Sequence, residues 1–314
     1  VALAKVFAAK ERPADHPLIV HLGADDLLSN YAREIPESAW LLAEAFWPGP
    51  LTLILKKAPG VPDLVTGGQD TVGVRIPGHP VALDLLRAFA QANPSGGGLA
   101  APSANKFGRI SPTSAAHVAS ELGDAVSMVL DGGDCLVGIE STIIDLSSGD
   151  HPVLLRPGLI TPGEIFTKTG IKVYMPGEGS SSKQGGDMPR VSGSLRAHYA
   201  PTTPLRMYAP GRVLDALSEF PDIKSRVAVA VWDSDSSLGE DGHPSVHFEE
   251  VIVPSDSATF ASRLYRSLRD LDQQGWDLIL FPEPPAGEEW DGVRDRLQRA
   301  CFGSGPSSSN HANS

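Results

Sequence analysis

Disulfides, membrane spans and nucleotide fingerprints are all missing from this 314-residue sequence. Its two cysteines, Cys135 and Cys301, stand far apart, which excludes a disulfide framework and a zinc-ligand spacing and fits a reducing cytoplasm. No run reaches the roughly 18 apolar residues that a membrane span needs, so a soluble chain is expected. Neither G-x-G-x-x-G nor G-x-x-x-x-G-K-[ST] follows a strand pattern, which excludes the common dinucleotide and P-loop sites. Cations are scarce as well: 26 Lys plus Arg face 38 Asp plus Glu, a net charge of −12. Gripping a phosphate backbone needs a basic face for counterion release, so any nucleic-acid contact is secondary and weak.

What is present suffices for ordinary cores. The chain is 41% hydrophobic and 20% charged, and its length favours two domains. VALAKVFAAK is helical in spacing yet starts without Met, cap or signal peptide, so Val1 is expected to be a truncation point inside a helix. Strand patterns follow at 18–22, 51–57, 71–77, 127–133, 141–146 and 152–157. Helical ones fall within 25–47, at 80–92 and at 113–122. This mixed order predicts a twisted sheet covered by helices. Around residue 172 the composition turns to Gly, Ser, Pro and charge, which is linker chemistry. From 204 strands and helices alternate, predicting a small doubly wound parallel sheet. The expected division is a first domain 1–172, a linker 173–203, a second domain 204–302 and a disordered tail 303–314.

Chemistry concentrates in the first region. Lys10 and Arg12 leave a helix end for a Pro-bracketed loop containing His16, and His21 ends the next strand. Two cations so spaced can face a polyanion together, or they can simply offset a helix dipole. His21 reads equally as a hydrogen-bonded core histidine. Arg75 lies on a strand fit for burial, so its guanidinium needs an internal carboxylate or a ligand; Thr71, Gly73 and Arg75 share one face. In APSANKFGRISPTS, Ala101 and its neighbour are small enough for close backbone approach. Ser103, Asn105, Lys106 and Arg109 exceed what helix capping requires, although Ser111 or Thr113 would serve as a cap. Hydroxyls and cations before a helix suit a phosphate. Ser141 and Thr142 enter one strand and Arg156 ends another, each with a plain structural alternative in sheet pairing or solvent exposure.

Taken in order, K-x-R-P-x-x-x-P-L-I-V-H, W-P-G-P-L-T, V-x-V-R-x-P, A-P-S-A-N-x-x-G-x-x-S-P-T, E-S-T-I-x-D and L-R-P-G resemble the threonylcarbamoyl-AMP synthases with a YrdC-like fold, and H-Y-A-P at 198–201 resembles their long, two-domain form. The resemblance implies an α/β protein: an α+β YrdC-like twisted-sheet domain followed by a small Rossmann-like parallel α/β domain. It also implies formation of threonylcarbamoyl-AMP and pyrophosphate from L-threonine, bicarbonate and ATP, with magnesium carried by the nucleotide and no protein-held metal cage. The product then serves downstream tRNA-modifying proteins. Carried over by motif, Lys10, Arg12, His16, Thr71, Ser103, Asn105, Ser111 and Arg156 bind ATP, Lys10 and Arg12 with a catalytic share. His21, Arg75, Ala101 through its backbone and Ser141 hold threonine, and His198 and Tyr199 form part of a lid. The family's opening strand and its P-T-E-T-x-Y-G-L-G type loop lie upstream of Val1.

Two alternatives compete. A double-stranded RNA-binding module needs a basic stripe, whereas residues 1–172 hold 13 Lys plus Arg against 18 Asp plus Glu, and these cations sit in the motifs. A carbamoyl-adenylate-forming transferase, as in hydrogenase maturation, would bring zinc-finger and acylphosphatase-like modules that this sequence lacks.

Overall fold

The computed structural model describes residues 2–93, 97–148, 151–178, 188–218, 226–235 and 247–305. The middle of the expected linker, 179–187, and the expected tail from 306 onward lie outside the described residues. The chain forms two compact units. One holds residues 1–104, 124–132 and 140–194; the other holds 105–123, 133–139 and 195–314.

In the first unit, α1 (Ala2–Lys10) leads to β1 (Ile19–His21), a 3-10 turn and α2 (Glu37–Phe46). Next come β2 (Leu51–Lys56), the short α3 (Asp63–Thr66), β3 (Thr71–Arg75), α4 (Pro80–Ala92) and β4 (Leu99–Ala100). After α5 (Ala115–Leu122), which belongs to the second unit, β5 (Thr142–Asp145), β6 (Val153–Arg156) and α6 (Pro162–Thr169) complete the first. The sheet is mixed, in the order β4-β1-β3-β2-β5-β6. Alternation along each strand divides its residues between two faces. Val20, Leu53, Leu55, Val72, Val74 and Ile144 form the core with Leu42, Phe46, Val65, Leu83 and Ile165 of the helices. The other face receives the intervening residues, among them the polar His21, Thr52, Thr71 and Arg75 alongside Ile19, Ile54 and Ile143.

Residues 127–133, expected as a strand, are irregular, with Met128 75% and Leu130 55% exposed. Branched and apolar residues favour a strand only where a pleated, half-buried surface receives them, and this segment has no hydrogen-bonded neighbour among the described strands.

The second unit contains β7 (Leu205–Tyr208), α7 (Val213–Ser218), β8 (Arg226–Trp232), β9 (His247–Val253), α8 (Ser257–Asp272), β10 (Leu278–Pro282) and α9 (Asp291–Gly303). All its strand pairs are parallel, in the order β7-β10-β8-β9. β8 reads RVAVAVW and is buried from Val227 onward, as a central parallel strand covered on both faces should be. Asp256 caps α8 by accepting from Thr259 N at 2.8 Å. The helix then buries Phe260, Leu264, Tyr265, Leu268 and Leu271.

Candidate active site

Strand register builds the polar face of the first sheet. Ile19 pairs with Gly73 and Gly73 with Ile54, forming one row. In the next row His21 pairs with Arg75, and Thr52, Ile143 and Arg156 face one another across β2, β5 and β6. One further step of the β2–β3 ladder brings Thr52 opposite Arg75. Histidine, guanidinium, hydroxyl and guanidinium therefore stand in sequence across five strands. No single segment of sequence contains them.

Arg156 is 3% exposed and fully engaged. Its Nε and Nη2 donate to Ser141 O at 3.0 and 2.9 Å, and Nη2 also donates to Ser141 Oγ at 3.1 Å. Its Nη1 donates to Ser192 O at 2.7 Å. Ser141 Oγ in turn lies 2.7 Å from Thr52 Oγ1. Behind this cluster, a Cβ on Gly158 would sit 2.5 Å from Thr142 N. Only glycine lets the R-P-G turn press against the entry to β5, which accounts for that motif physically.

A strap from Arg190 to Ser194 lies over the same face. Gln69 clasps it in both directions: its Nε2 donates to Arg190 O at 3.0 Å and its Oε1 accepts from Arg190 N at 2.6 Å. Val191 is buried with Ile54 and Ile143. Ser192 Oγ accepts from Arg12 Nη2 at 3.3 Å and donates to Pro17 O at 2.7 Å, and Arg12 Nη2 also donates to Pro17 O at 2.9 Å. Ser192 thereby joins Arg12 to Arg156. Lys10, only 4% exposed, donates through Nζ to Ser103 O. Thr71 lines the hollow under the strap with Ile19, Gly73 and Ile143.

The electrostatics are those of an anion site. Arg75 Nε donates to Gly49 O at 2.9 Å, and among the described residues no carboxylate pairs with it. Burial, followed by repulsion from Arg156, pushes its guanidinium down to about 10. Among the described residues the internal salt bridge that a largely buried strand arginine ordinarily finds is absent. Burial and then Arg75 push His21 down to about 4, and its buried Nδ1 makes no hydrogen bond among the described residues. His16 is also held below the ordinary imidazole range, by burial and then by Arg12. Ala101 N donates to Ile19 O at 3.1 Å, so its carbonyl is the backbone group left to meet a ligand.

The remaining predicted residues belong to the second unit. Asn105, 1% exposed, donates through Nδ2 to Lys106 O at 2.7 Å and to Arg109 O at 3.0 Å, holding its loop in a tight turn. Ser111 and Thr113 are buried, and neither caps the following helix: Ser114 does, accepting from His117 N at 3.3 Å. The capping explanation for Ser111 and Thr113 is thus removed. His198 and Tyr199 are buried among Phe107, Tyr265 and Arg296, with Tyr199 at φ 61° and the Arg296 guanidinium 5.6 Å from its ring centre. A non-glycine residue held in the left-handed region costs on the order of 1–3 kcal/mol, a strain found where surroundings over-determine a conformation.

Four participants escaped sequence reasoning: Thr52, Gln69, Arg190 and Ser192. Thr52 stands inside W-P-G-P-L-T, and strand alternation offered a signal for it. Ser192 and Arg190 sit in Gly/Ser-rich chain, where composition distinguishes no position.

Comparison with known proteins identifies relatives of the chain along most of its length. The family described as "Telomere recombination" matches residues 1–158, and the one described as "Threonylcarbamoyl-AMP synthase, C-terminal domain" matches residues 164–301. The threonylcarbamoyl-AMP synthase of Pyrococcus abyssi is 38% identical over 89% of this chain and 78% of its own length. That of Bacillus subtilis is 35% identical over 96% and 84%. Among solved structures, P. abyssi Sua5 complexed with L-threonine superimposes with a TM-score of 0.76 at 36% identity, over 97% of this chain and 86% of that one. A P. abyssi Sua5 variant with a histidine and a tyrosine changed to alanine gives 0.78 at 34% identity, over 97% and 84%. With two domain matches in tandem and relatives alike over most of their length, this chain belongs to the threonylcarbamoyl-AMP synthase family.

Proposed function

We infer that this chain is an L-threonylcarbamoyladenylate synthase that joins L-threonine, bicarbonate and ATP into threonylcarbamoyl-AMP, releasing pyrophosphate, for the threonylcarbamoyladenosine modification of tRNA. The observation that carries the residue assignment is Arg75: a largely buried cation, in the same row as His21, with a backbone carbonyl as partner and, among the described residues, no carboxylate. An amino acid's carboxylate is the counterpart such a group calls for, bound bidentately by the guanidinium fork. His21, with its pKa near 4, is neutral at physiological pH. Its unbonded Nδ1 is a polar contact for the amino acid, as are Ser141 Oγ and the Ala101 carbonyl.

No side chain has to act as a covalent nucleophile. Threonine's amine takes up carbon dioxide derived from bicarbonate and loses a proton. The carbamate oxygen then attacks the α-phosphorus of ATP, and the bond to pyrophosphate breaks. The protein supplies position and positive charge against developing negative charge. Lys10, Arg12 and Arg156 take this part, with His16, Thr71 and Ser103 as further nucleotide contacts; Asn105 and Ser111 keep the nucleotide role that their motif assigns them. Magnesium belongs to the phosphates: hydroxyls and cations line the polar face, a donor set suited to phosphate oxygens rather than to a metal cage. His198 and Tyr199 are assigned to a lid that shields the hydrolysable product from water. Among the described residues no helix is long and apolar enough to cross a membrane, and both cysteines are free thiols; cytoplasmic residence accords with both. Threonine- and bicarbonate-dependent pyrophosphate release from ATP tests the assignment, and salt-sensitive RNA binding without nucleotide affinity refutes it.

A further inference from the structure

The second unit contains the loop that bears Asn105 and Ser111 as well as the parallel sheet, and α8 reaches that loop through one side chain. Arg269, with 11% of its side chain exposed, stands on the margin of the helix's buried face. Its Nε donates to Ser111 O at 3.2 Å, and its Nη2 donates to Ile110 O and to Glu121 Oε2. Glu121, 13% exposed and projecting from α5, uses its other oxygen to accept from Lys106 N at 2.7 Å. The pair therefore grips both ends of the segment 106–111, one end by an amide and the other by two successive carbonyls. Between these grips Asn105 Nδ2 closes on Lys106 O and Arg109 O, and Gly108 O accepts from Ala200 N at 2.9 Å.

A surface loop has water for its carbonyls at little cost. Here two carbonyls and a carboxylate have been drawn onto one nearly buried guanidinium, an arrangement that contributes little net stability because both charges are desolvated. What it does contribute is direction. Fixing the carbonyl of Ile110 fixes the peptide plane leading into Ser111, and the Ser111 carbonyl fixes the next, so the hydroxyl between them has a set bearing. The planar fork is essential, since only a guanidinium reaches Ile110 O, Ser111 O and Glu121 together; a lysine ammonium is a point donor.

We propose that the Arg269–Glu121 pair is a positioning device for nucleotide binding, by which α8 holds the loop carrying Asn105 and Ser111 in its ATP-binding conformation. This rests on the nucleotide role assigned to those two residues above. It gives the second domain a part in the reaction: α8 sets the affinity for ATP without supplying a group that touches the reacting atoms.

The test uses the full chain and two conservative variants, Arg269→Lys and Glu121→Gln. ATP affinity is measured by titration calorimetry, and threonine-dependent pyrophosphate release is followed alongside. Both variants are expected to keep the wild-type thermal midpoint within a few degrees, to weaken the Kd for ATP at least tenfold, and to leave KM for threonine within about twofold. The double variant should lose little more than either single one, as residues acting through one network do. Wild-type Kd values for ATP in both folded variants overturn the proposal. So does a parallel loss of ATP affinity, threonine affinity and thermal midpoint, which is the mark of a merely structural pair. If the wild type binds ATP but releases no pyrophosphate, the reaction assigned above fails while the Kd comparison still decides the positioning role. If it binds no ATP, both fall.

Discussion

Replacing Arg75 by Met should make the protein more stable and unable to bind threonine. The guanidinium's fall from its ordinary value to about 10 corresponds, at ~1.4 kcal/mol for each tenfold change in proton affinity, to a cost of about 3 kcal/mol for keeping the charge in the fold at pH 7. The hydrogen bond to Gly49 O offsets about 1–2 kcal/mol of that, counting the carbonyl that is stranded when the donor is removed. Met retains most of the apolar stem and abolishes the repulsion with Arg156, so Arg75→Met gains about 1–2 kcal/mol. Native-state hydrogen exchange at the β1–β3 amides is the suitable assay, because it reads the opening of this sheet whatever the second unit does. Threonine at a hundred times its Kd should add about 2.7 kcal/mol to the wild type and nothing to the variant. A variant less stable than the wild type by more than 1 kcal/mol that still responds to threonine would refute the reasoning, for Arg75 would then be a structural cation.

Three more outcomes follow from the same geometry. An unfolded histidine titrates near 6.5 whereas His21 stays neutral to about 4, so the unfolded chain takes up the proton first as pH falls. That share of stability is complete above pH 6.5 and declines by roughly 3 kcal/mol toward pH 4; His21→Gln should flatten that part of the curve, and an unchanged slope by hydrogen exchange counts against it. Gly158→Ala forces a methyl group to within 2.5 Å of Thr142 N, costing about 1–3 kcal/mol as overpacking does and disturbing Ser141 and Arg156; a wild-type melting midpoint together with wild-type turnover speaks against the tight approach. Burial, and next Arg269, hold His117 below the ordinary imidazole range, so Arg269→Gln should raise its pKa in an NMR titration, whereas a fall would contradict the arrangement around α8.

Much of the fold was legible because its strands carry their own pattern. RVAVAVW and LTLILK are branched runs that read as buried strands, and P-V-A-L-D-L-L-R-A-F-A-Q-A has the helical period; the structure forms each of them. SMVLDGG has the same apolar content and is not a strand, because a strand also needs a neighbour, which local sequence cannot supply. At the site, the motifs pointed to Lys10, Arg12, Arg75 and Arg156, and in the first unit Arg12 and Arg156 meet through Ser192. The bridging residue was invisible, since a serine in a Gly/Ser-rich linker looks like every other. Arg269 was equally silent: on an amphipathic helix an arginine at the margin reads as solvated, and its three acceptors lie roughly 150 residues upstream.

That separation matters during synthesis. Ser111 leaves the ribosome 158 residues before Arg269, which at 5–20 residues per second is on the order of 10–30 s. Through this interval the nascent loop lacks the guanidinium that gathers its carbonyls. The conformation in which those carbonyls are gathered is therefore set only after α8 has been made, long after the loop's own residues have left the ribosome.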